Sequence, residues 1–226
     1  MSRVFVFAAM DMEAQPVHDI SGPNELVLTV VGMGPRNATA KAEAALREGT
    51  KPHAIVVIGL CGGLTESLAE GTIVTYKECL STEAGSPPLQ CCSTTSDAML
   101  EMLAAAKIPC DHAIGITSGR IATTRDERLS LAKSGATVVD MESYCIARVA
   151  AQFGIPVVVL RVVSDSIHRK LPDLNRALDD GGALDNRKAL KVALASPLRT
   201  ARLLAANKRA MQRLKPALEV ALKASL

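Results

Sequence analysis

The sequence predicts an α/β fold: a mixed, mostly parallel sheet with helices on both faces, followed by a C-terminal helical extension. Three observations carry that expectation. Short apolar, β-branched runs alternate with helical segments from Arg3 to Asp165, the pattern of strands buried on both faces. The stretch Val138 to Asp165 reads as strand, helix, strand, and parallel strands require such a crossover. After Asp165 the strands stop and two amphipathic helices follow. The 226 residues, 48% of them hydrophobic, supply a core for one domain, with residues 1–168 as the α/β part and 169–226 as a basic helical extension packed on or beside it.

Arg3 to Ala9 is expected to be a buried strand, ended by Met10-Asp11-Met12-Glu13 and a polar loop with Pro16. Leu26 to Val31 is the second strand. It runs into Gly32-Met33-Gly34-Pro35-Arg36 and a helix to Glu48. A glycine-rich turn opening a helix leaves backbone N–H groups free, so Gly34 and Arg36 form a candidate anion site; the alternative is a tight turn beside a solvated arginine. The third glycine and the following acid of a dinucleotide fingerprint are missing, which argues against NAD. Ala54 to Ile58 is the third strand, and Gly59-Leu60-Cys61-Gly62-Gly63 after it calls for close backbone approach. Gly71 to Val74 continues as a strand, Thr82 to Leu89 as a Pro-rich loop, Met99 to Lys107 as a helix, and His112 to Thr117 as a strand ending in Ser118-Gly119-Arg120-Ile121-Ala122-Thr123. A charged helix, Arg125 to Lys133, precedes the strand Ala136 to Asp140 and the helix Glu142 to Phe153, which Gly154 stops. Val157 to Leu160 is a further buried strand. Pro172 and Gly181-Gly182 break the chain before helices at Asp185 to Ala195 and Pro197 to Leu222. Ser196-Pro197 is read as an N-cap with proline in the first turn.

The formal net charge is only +3, but thirteen Lys/Arg against five Asp/Glu lie from Ser166 onward, so the chain before it is acidic. A basic amphipathic last helix either packs on the sheet with a solvated basic face or attaches peripherally to anionic lipid. Five aromatic residues and no Trp argue against a nucleic-acid binder that stacks bases. No apolar run approaches the ~20 residues of a membrane span, and the N-terminus is a poor signal peptide. Six cysteines without a CxxC pair are expected to be reduced, mostly buried thiols of a cytoplasmic protein, with Cys91-Cys92 as a candidate redox pair. No metal or cofactor is expected.

In open α/β sheets, ligands bind outside the carboxyl ends of strands. Glu142 and Asp165 sit at two such ends and Glu13 at a third. From position alone Glu13 is either a solvated surface acid or part of the cleft.

Four segments together resemble the nucleoside phosphorylase and methylthioadenosine/S-adenosylhomocysteine nucleosidase superfamily: Ala9-Met10-Asp11-Met12-Glu13; Gly59-Leu60-Cys61-Gly62-Gly63-Leu64 with Gly71-Thr72-Ile73-Val74; Val139-Asp140-Met141-Glu142; and Arg161-Val162-Val163-Ser164-Asp165. The resemblance implies a three-layer α/β/α sandwich, an oligomer, and cleavage of a purine nucleoside's N-glycosidic bond. It implies that Glu13 activates water, that Met141 and Glu142 hold the ribose, and that Asp165 serves purine N7 with Ser164 beside it. It places Gly62, Ile121 and Thr123 against the substrate. The chemistry is that of glycoside cleavage applied to an N-glycoside: an acid improves the leaving base, one carboxylate steadies the oxocarbenium-like sugar, another takes a proton from water. An acid that gives its proton near neutral pH needs a poorly solvated site.

Phosphorylases of the family carry an Arg and a Ser at the positions of Val57 and Leu60, both binding phosphate. An apolar pair there favours water over phosphate as nucleophile, with Arg36 and the Gly32–Gly34 amides as a substitute phosphate site. The aromatic residue of the adenine-binding segment is missing from Ser118-Gly119-Arg120-Ile121-Ala122. The tail is similar to that of the hopanoid-associated phosphorylase branch, which implies adenosylhopane as substrate and peripheral contact with the inner face of a membrane.

Overall fold

Alternation along the strands decides the layering. The computed structural model describes residues 2–48, 50–179 and 184–223. In strand β1 (Arg3–Ala8) Phe5 and Phe7 point to one face of the sheet, and Val4, Val6 and Ala8 to the other. The same split recurs in β3 (Ala54–Gly63) and β8 (Val157–Asp165). Both faces are apolar, so both must be covered by helices. One is covered by α2 (Pro35–Arg47) and α5 (Ser143–Gln152). The other is covered by α1 (Asp11–His18), α3 (Ser93–Ala105) and the second half of α7 (Pro197–Ala221). This is the expected three-layer sandwich. In α7 the small residues Ala210, Ala217 and Ala221 let the helix sit close to the sheet, while Leu214 and Leu218 fill the space between.

The remaining strands are β2 (Glu25–Val30), β4 (Ile73–Ser81), β5 (Leu89–Gln90), β6 (Cys110–Thr117) and β7 (Val138–Asp140). Strands β2, β1, β3 and β8 run parallel in that order, and β6 is parallel to both β4 and β7. Strand β4 pairs antiparallel with β8 and β5. Strand β3 then does something the sequence did not announce. It continues through the glycines that called for close backbone approach, and its last two residues, Gly62 and Gly63, pair antiparallel with Val139 and Val138. Strands β3, β8, β4, β6 and β7 thereby close into a ring. Strands β7 and β8, expected to be neighbours, are instead separated by β3. The register shift between Cys61 and Gly62 is the bulge that turns β3 from sheet into ring.

Helix boundaries follow local chemistry. Helix α4 (Arg125–Ala132) opens with a capping box: Thr124 accepts from the Glu127 N–H, and the Glu127 carboxylate accepts from the Thr124 N–H. Helix α6 (Asn186–Ala195) is capped by Asp185, which accepts from the Arg187 and Lys188 N–H groups. Ser196 stands at the N-cap of α7 without a side-chain cap bond, so Pro197 at the first turn is what starts that helix. Helix α1 was expected as a loop; Pro16 lies inside it. The expected break at Gly181-Gly182 lies outside the described residues.

All six cysteines are free thiols. Cys91 faces Cys79 at 3.7 Å in the core and Cys92 faces Thr95, so adjacency in sequence does not pair Cys91 with Cys92. Among the described residues no helix is long and apolar enough to cross a membrane.

Candidate active site

Glu13, Glu142 and Asp165 line one cavity of about 520 Å3 at the carboxyl ends of β1, β3, β7 and β8. Met141, Ser164, Gly62 and Ile121 line it with them. Three of the expected residues behave otherwise, and Gly59 makes the close approach expected of it. Arg36 borders a separate polar cavity with Arg120 and Thr82. The Gly34 N–H donates to Glu142 Oε1 at 3.0 Å, so the anion held at the N-terminus of α2 is the protein's own carboxylate. Thr123 gives its N–H and hydroxyl to Glu127, as part of the α4 cap. Gly59 is taken up by the strand, with φ +137° and no room for a Cβ, which would meet Glu13 Oε1 at 2.5 Å.

Glu13 is 1% exposed, not the solvated loop acid that its polar neighbours suggested. It sits in the first turn of α1 and curls back. Oε2 accepts from the N–H groups of Ala9 and Met10, and Oε1 from that of Leu60 at 2.8 Å. Three backbone donors from two strand ends hold the carboxylate at a fixed point. Burial nevertheless raises its pKa, against the pull of Arg161 and those donors.

Glu142 is fixed from two sides, by Gly34 and by Arg161 Nη2 at 3.4 Å. Burial outweighs the guanidinium, and Asp140 and Glu13 add repulsion, so its pKa is pushed up to about 7. Asp140, two residues earlier, goes the other way. Burial opposes its charge, but Arg161, Ser143 and Thr117 hold it below the usual carboxylate range. Its Oδ1 accepts from the Thr117 hydroxyl at 2.7 Å and from the N–H groups of Glu142 and Ser143, and its Oδ2 from the Tyr76 hydroxyl. Asp140 is thus the anchor that orients the Glu142 turn. Tyr76 reaches it only because residue 115 is glycine: a Cβ there would lie 2.0 Å from the Tyr76 ring.

A pH dependence follows for the free protein. A carboxyl group with its pKa raised from 4.5 to about 7 binds more protons folded than unfolded between those values, so stability must fall as pH rises through that window. Glu142 contributes about 3 kcal/mol of this loss, and Glu13 acts in the same direction. Urea midpoints measured from pH 4.5 to 8 are expected to decline, and Glu142→Gln to flatten the decline; a midpoint that rises across this window refutes the assignment.

Two buried arginines were not assigned roles from the sequence. Arg161 lies inside the apolar run of β8, 3.4 Å from both Asp140 and Glu142, and donates to Leu60 O at 2.7 Å and to Ser143 Oγ at 3.1 Å. A cation within a strand buried on both faces is itself the signal that carboxylates face it. Arg128, read as part of a charged surface helix, forms an ion pair with Asp165 Oδ2 and donates to the carbonyls of Ala122, Gly63, Asp165 and Ser166. Its position three and four residues before Leu131 and Ala132, which pack inward, was the available signal. Asp165 itself is 5% exposed, and Ser164 donates to its Oδ1 at 2.5 Å. The desolvation expected there is present, together with a cation that was not expected.

The far wall of the cavity is mostly apolar, with Asn186, Thr200 and Asn207 set among its leucines. Met10, Met12 and Leu60 continue into Leu171 and then into the α6–α7 pair through Leu190 and Leu204. Among the described residues no aromatic side chain lines it.

The sequence profile of the family described as the phosphorylase superfamily matches residues 19–196. A 5′-methylthioadenosine/S-adenosylhomocysteine nucleosidase of Actinobacillus succinogenes is 32% identical over 158 residues, covering 62% of this chain and 68% of that protein. The enzyme of the same name from Listeria monocytogenes is 29% identical over 169 residues, covering 66% and 72%. Among solved structures, that nucleosidase from Neisseria meningitidis, in complex with methylthio-immucillin-A, superposes with a TM-score of 0.77 at 16% identity over 99% of both chains. The futalosine hydrolase of Helicobacter pylori gives 0.77 at 12% identity over 98% of this chain and 97% of that one.

Proposed function

This chain belongs to the phosphorylase superfamily, and we propose that it is a nucleosidase that hydrolyses the N-glycosidic bond of an adenosine carrying an apolar 5′ substituent. The observation that carries this reading is the convergence of Glu13, Glu142 and Asp165, from three separate strand ends, on one cavity whose far wall is mostly apolar. The nucleosidase relatives, each named for adenosine derivatives with a 5′ thioether, support the base and the bond.

In the proposed reaction Asp165 gives a proton to purine N7 as the C1′–N9 electrons leave with the base. Glu142 accepts hydrogen bonds from the ribose hydroxyls and steadies positive charge on the sugar. Glu13 takes a proton from the water whose oxygen bonds C1′. Water is supported as the nucleophile because the groups expected to hold phosphate are engaged elsewhere. The Leu60 amide is bound to Glu13, the Gly34 amide to Glu142, and Arg36 borders another cavity. A substituent beyond thioether size is supported by Leu171, Leu190 and Leu204 in the wall. Adenosylhopane, implied by the likeness of the tail to the hopanoid-associated branch, belongs to that class.

Purified protein incubated with methylthioadenosine and with adenosines bearing long 5′-alkylthio chains tests the reading. Adenine release is expected without phosphate, with kcat/KM rising with chain length. Strict phosphate dependence would make the protein a phosphorylase; tight binding without release would make it a non-catalytic nucleoside binder.

A further inference from the structure

We propose that the turn between α6 and α7 is a docking surface for an anionic lipid bilayer. The large hydrophobic side chains most exposed among the described residues all belong to this helix pair: Leu190 at 61%, Leu194 at 72%, Leu198 at 73% and Leu204 at 61%. Leu194 and Leu198 flank the turn at Ser196, where one helix ends and the next begins. Apolar groups at the tip of a helix pair gain nothing in water, and a bilayer interface is where they are stabilised.

The charges around them choose the partner. Between Asn186 and Leu218 there are nine Lys/Arg and no Asp or Glu. On α6, Arg187 and Lys191 each lie three positions, about one helical turn, before Leu190 and Leu194 respectively. On α7, Arg199 and Arg202 follow Leu198. Of these nine cations only Lys215 forms an ion pair among the described residues. Leucines that enter the interface with basic groups at headgroup level match the arrangement of interfacial helices, and clustered Lys and Arg are attracted to anionic headgroups. A second copy of the chain fits this patch poorly, because a two-fold contact presents the same surface twice and sets the same cations against one another.

The surface also has a relation to the cavity, which rests on the functional reading above. Leu190 and Leu204 are exposed and line the cavity wall, so the cavity opens where the patch lies. A docked protein then meets an apolar 5′ substituent at the membrane, and the substituent passes from lipid into an apolar wall.

The experiment needs no substrate, so it stands apart from the catalytic reading. Full-length protein is sedimented with vesicles of phosphatidylcholine alone and of phosphatidylcholine with phosphatidylglycerol, at low and high salt. Leu194→Ser/Leu198→Ser is compared with it, since neither residue lines the cavity, and circular dichroism checks that the variant is folded. Binding is expected only to the phosphatidylglycerol vesicles, weakened by salt and reduced at least about tenfold in the variant. No binding, or equal binding by the folded variant, overturns the proposal. So does a dimer, detected by sedimentation velocity, that the same variant dissociates, because the occupant is then a second copy.

Discussion

Asp165→Asn is expected to lower kcat for adenine release by about 10^2- to 10^4-fold, the range over which a positioned acid contributes, with little change in KM. The substitution is clean because of what surrounds it. Asparagine keeps the volume, its oxygen can face the Arg128 guanidinium, and its NH2 can donate to Ser164 Oγ, which now donates to Asp165 Oδ1. Arg128 also keeps its four carbonyl acceptors. What asparagine cannot do is give a proton to a leaving base. Single-turnover rates and thermal unfolding of the same preparation separate loss of chemistry from loss of fold. A folded variant that turns over at near the parental rate would remove Asp165 from the mechanism.

The second large effect is on stability. Arg161→Met is expected to destabilise the fold by about 3–5 kcal/mol, because removing one member of a buried ion pair leaves the others uncompensated. Here the stranded partners are two, Asp140 and Glu142, each 3.4 Å away and buried. Lysine is expected to restore only part of this. The guanidinium spreads its donors over Ser143 Oγ, Leu60 O and the two carboxylates, a fork that a single ammonium does not reproduce. Urea denaturation at pH 7 measures both variants; a methionine variant within 1 kcal/mol of the parent would mean that the carboxylates are discharged in another way.

Much of the architecture could be read from the chain because its strands are buried on both faces and therefore appear as unbroken apolar runs. Val157-Val158-Val159-Leu160 is the clearest. The acids at strand ends were legible for the same reason: Glu142 and Asp165 follow directly on such runs. Residues whose direction depends on the third dimension were not legible. Position alone leaves Glu13 open between a surface acid and a cleft residue, and the close approach of Gly59 and Leu60 shows that it turns inward. Arg128 looks like its solvated neighbours on α4 until Asp165 is brought against it. Arg36, beside a turn that suits an anion, is set apart because a carboxylate from β7's end reaches that turn first. The passage of β3 from sheet to ring was half visible in its glycines, which call for close backbone approach without naming the strand that comes close.

The last helix does two jobs, and the second half of it constrains how the protein comes to be. Ala210, Leu214, Ala217 and Leu218 complete the core layer that β1 and α1 begin, and the side chain of Asn24 donates to Leu222 O at 3.1 Å. Strand β1 therefore waits, with one apolar face only partly covered by α1 and α3, until translation has run more than two hundred residues further. A chain cut short before the final turns of α7 is expected to expose that apolar face and to aggregate rather than fold.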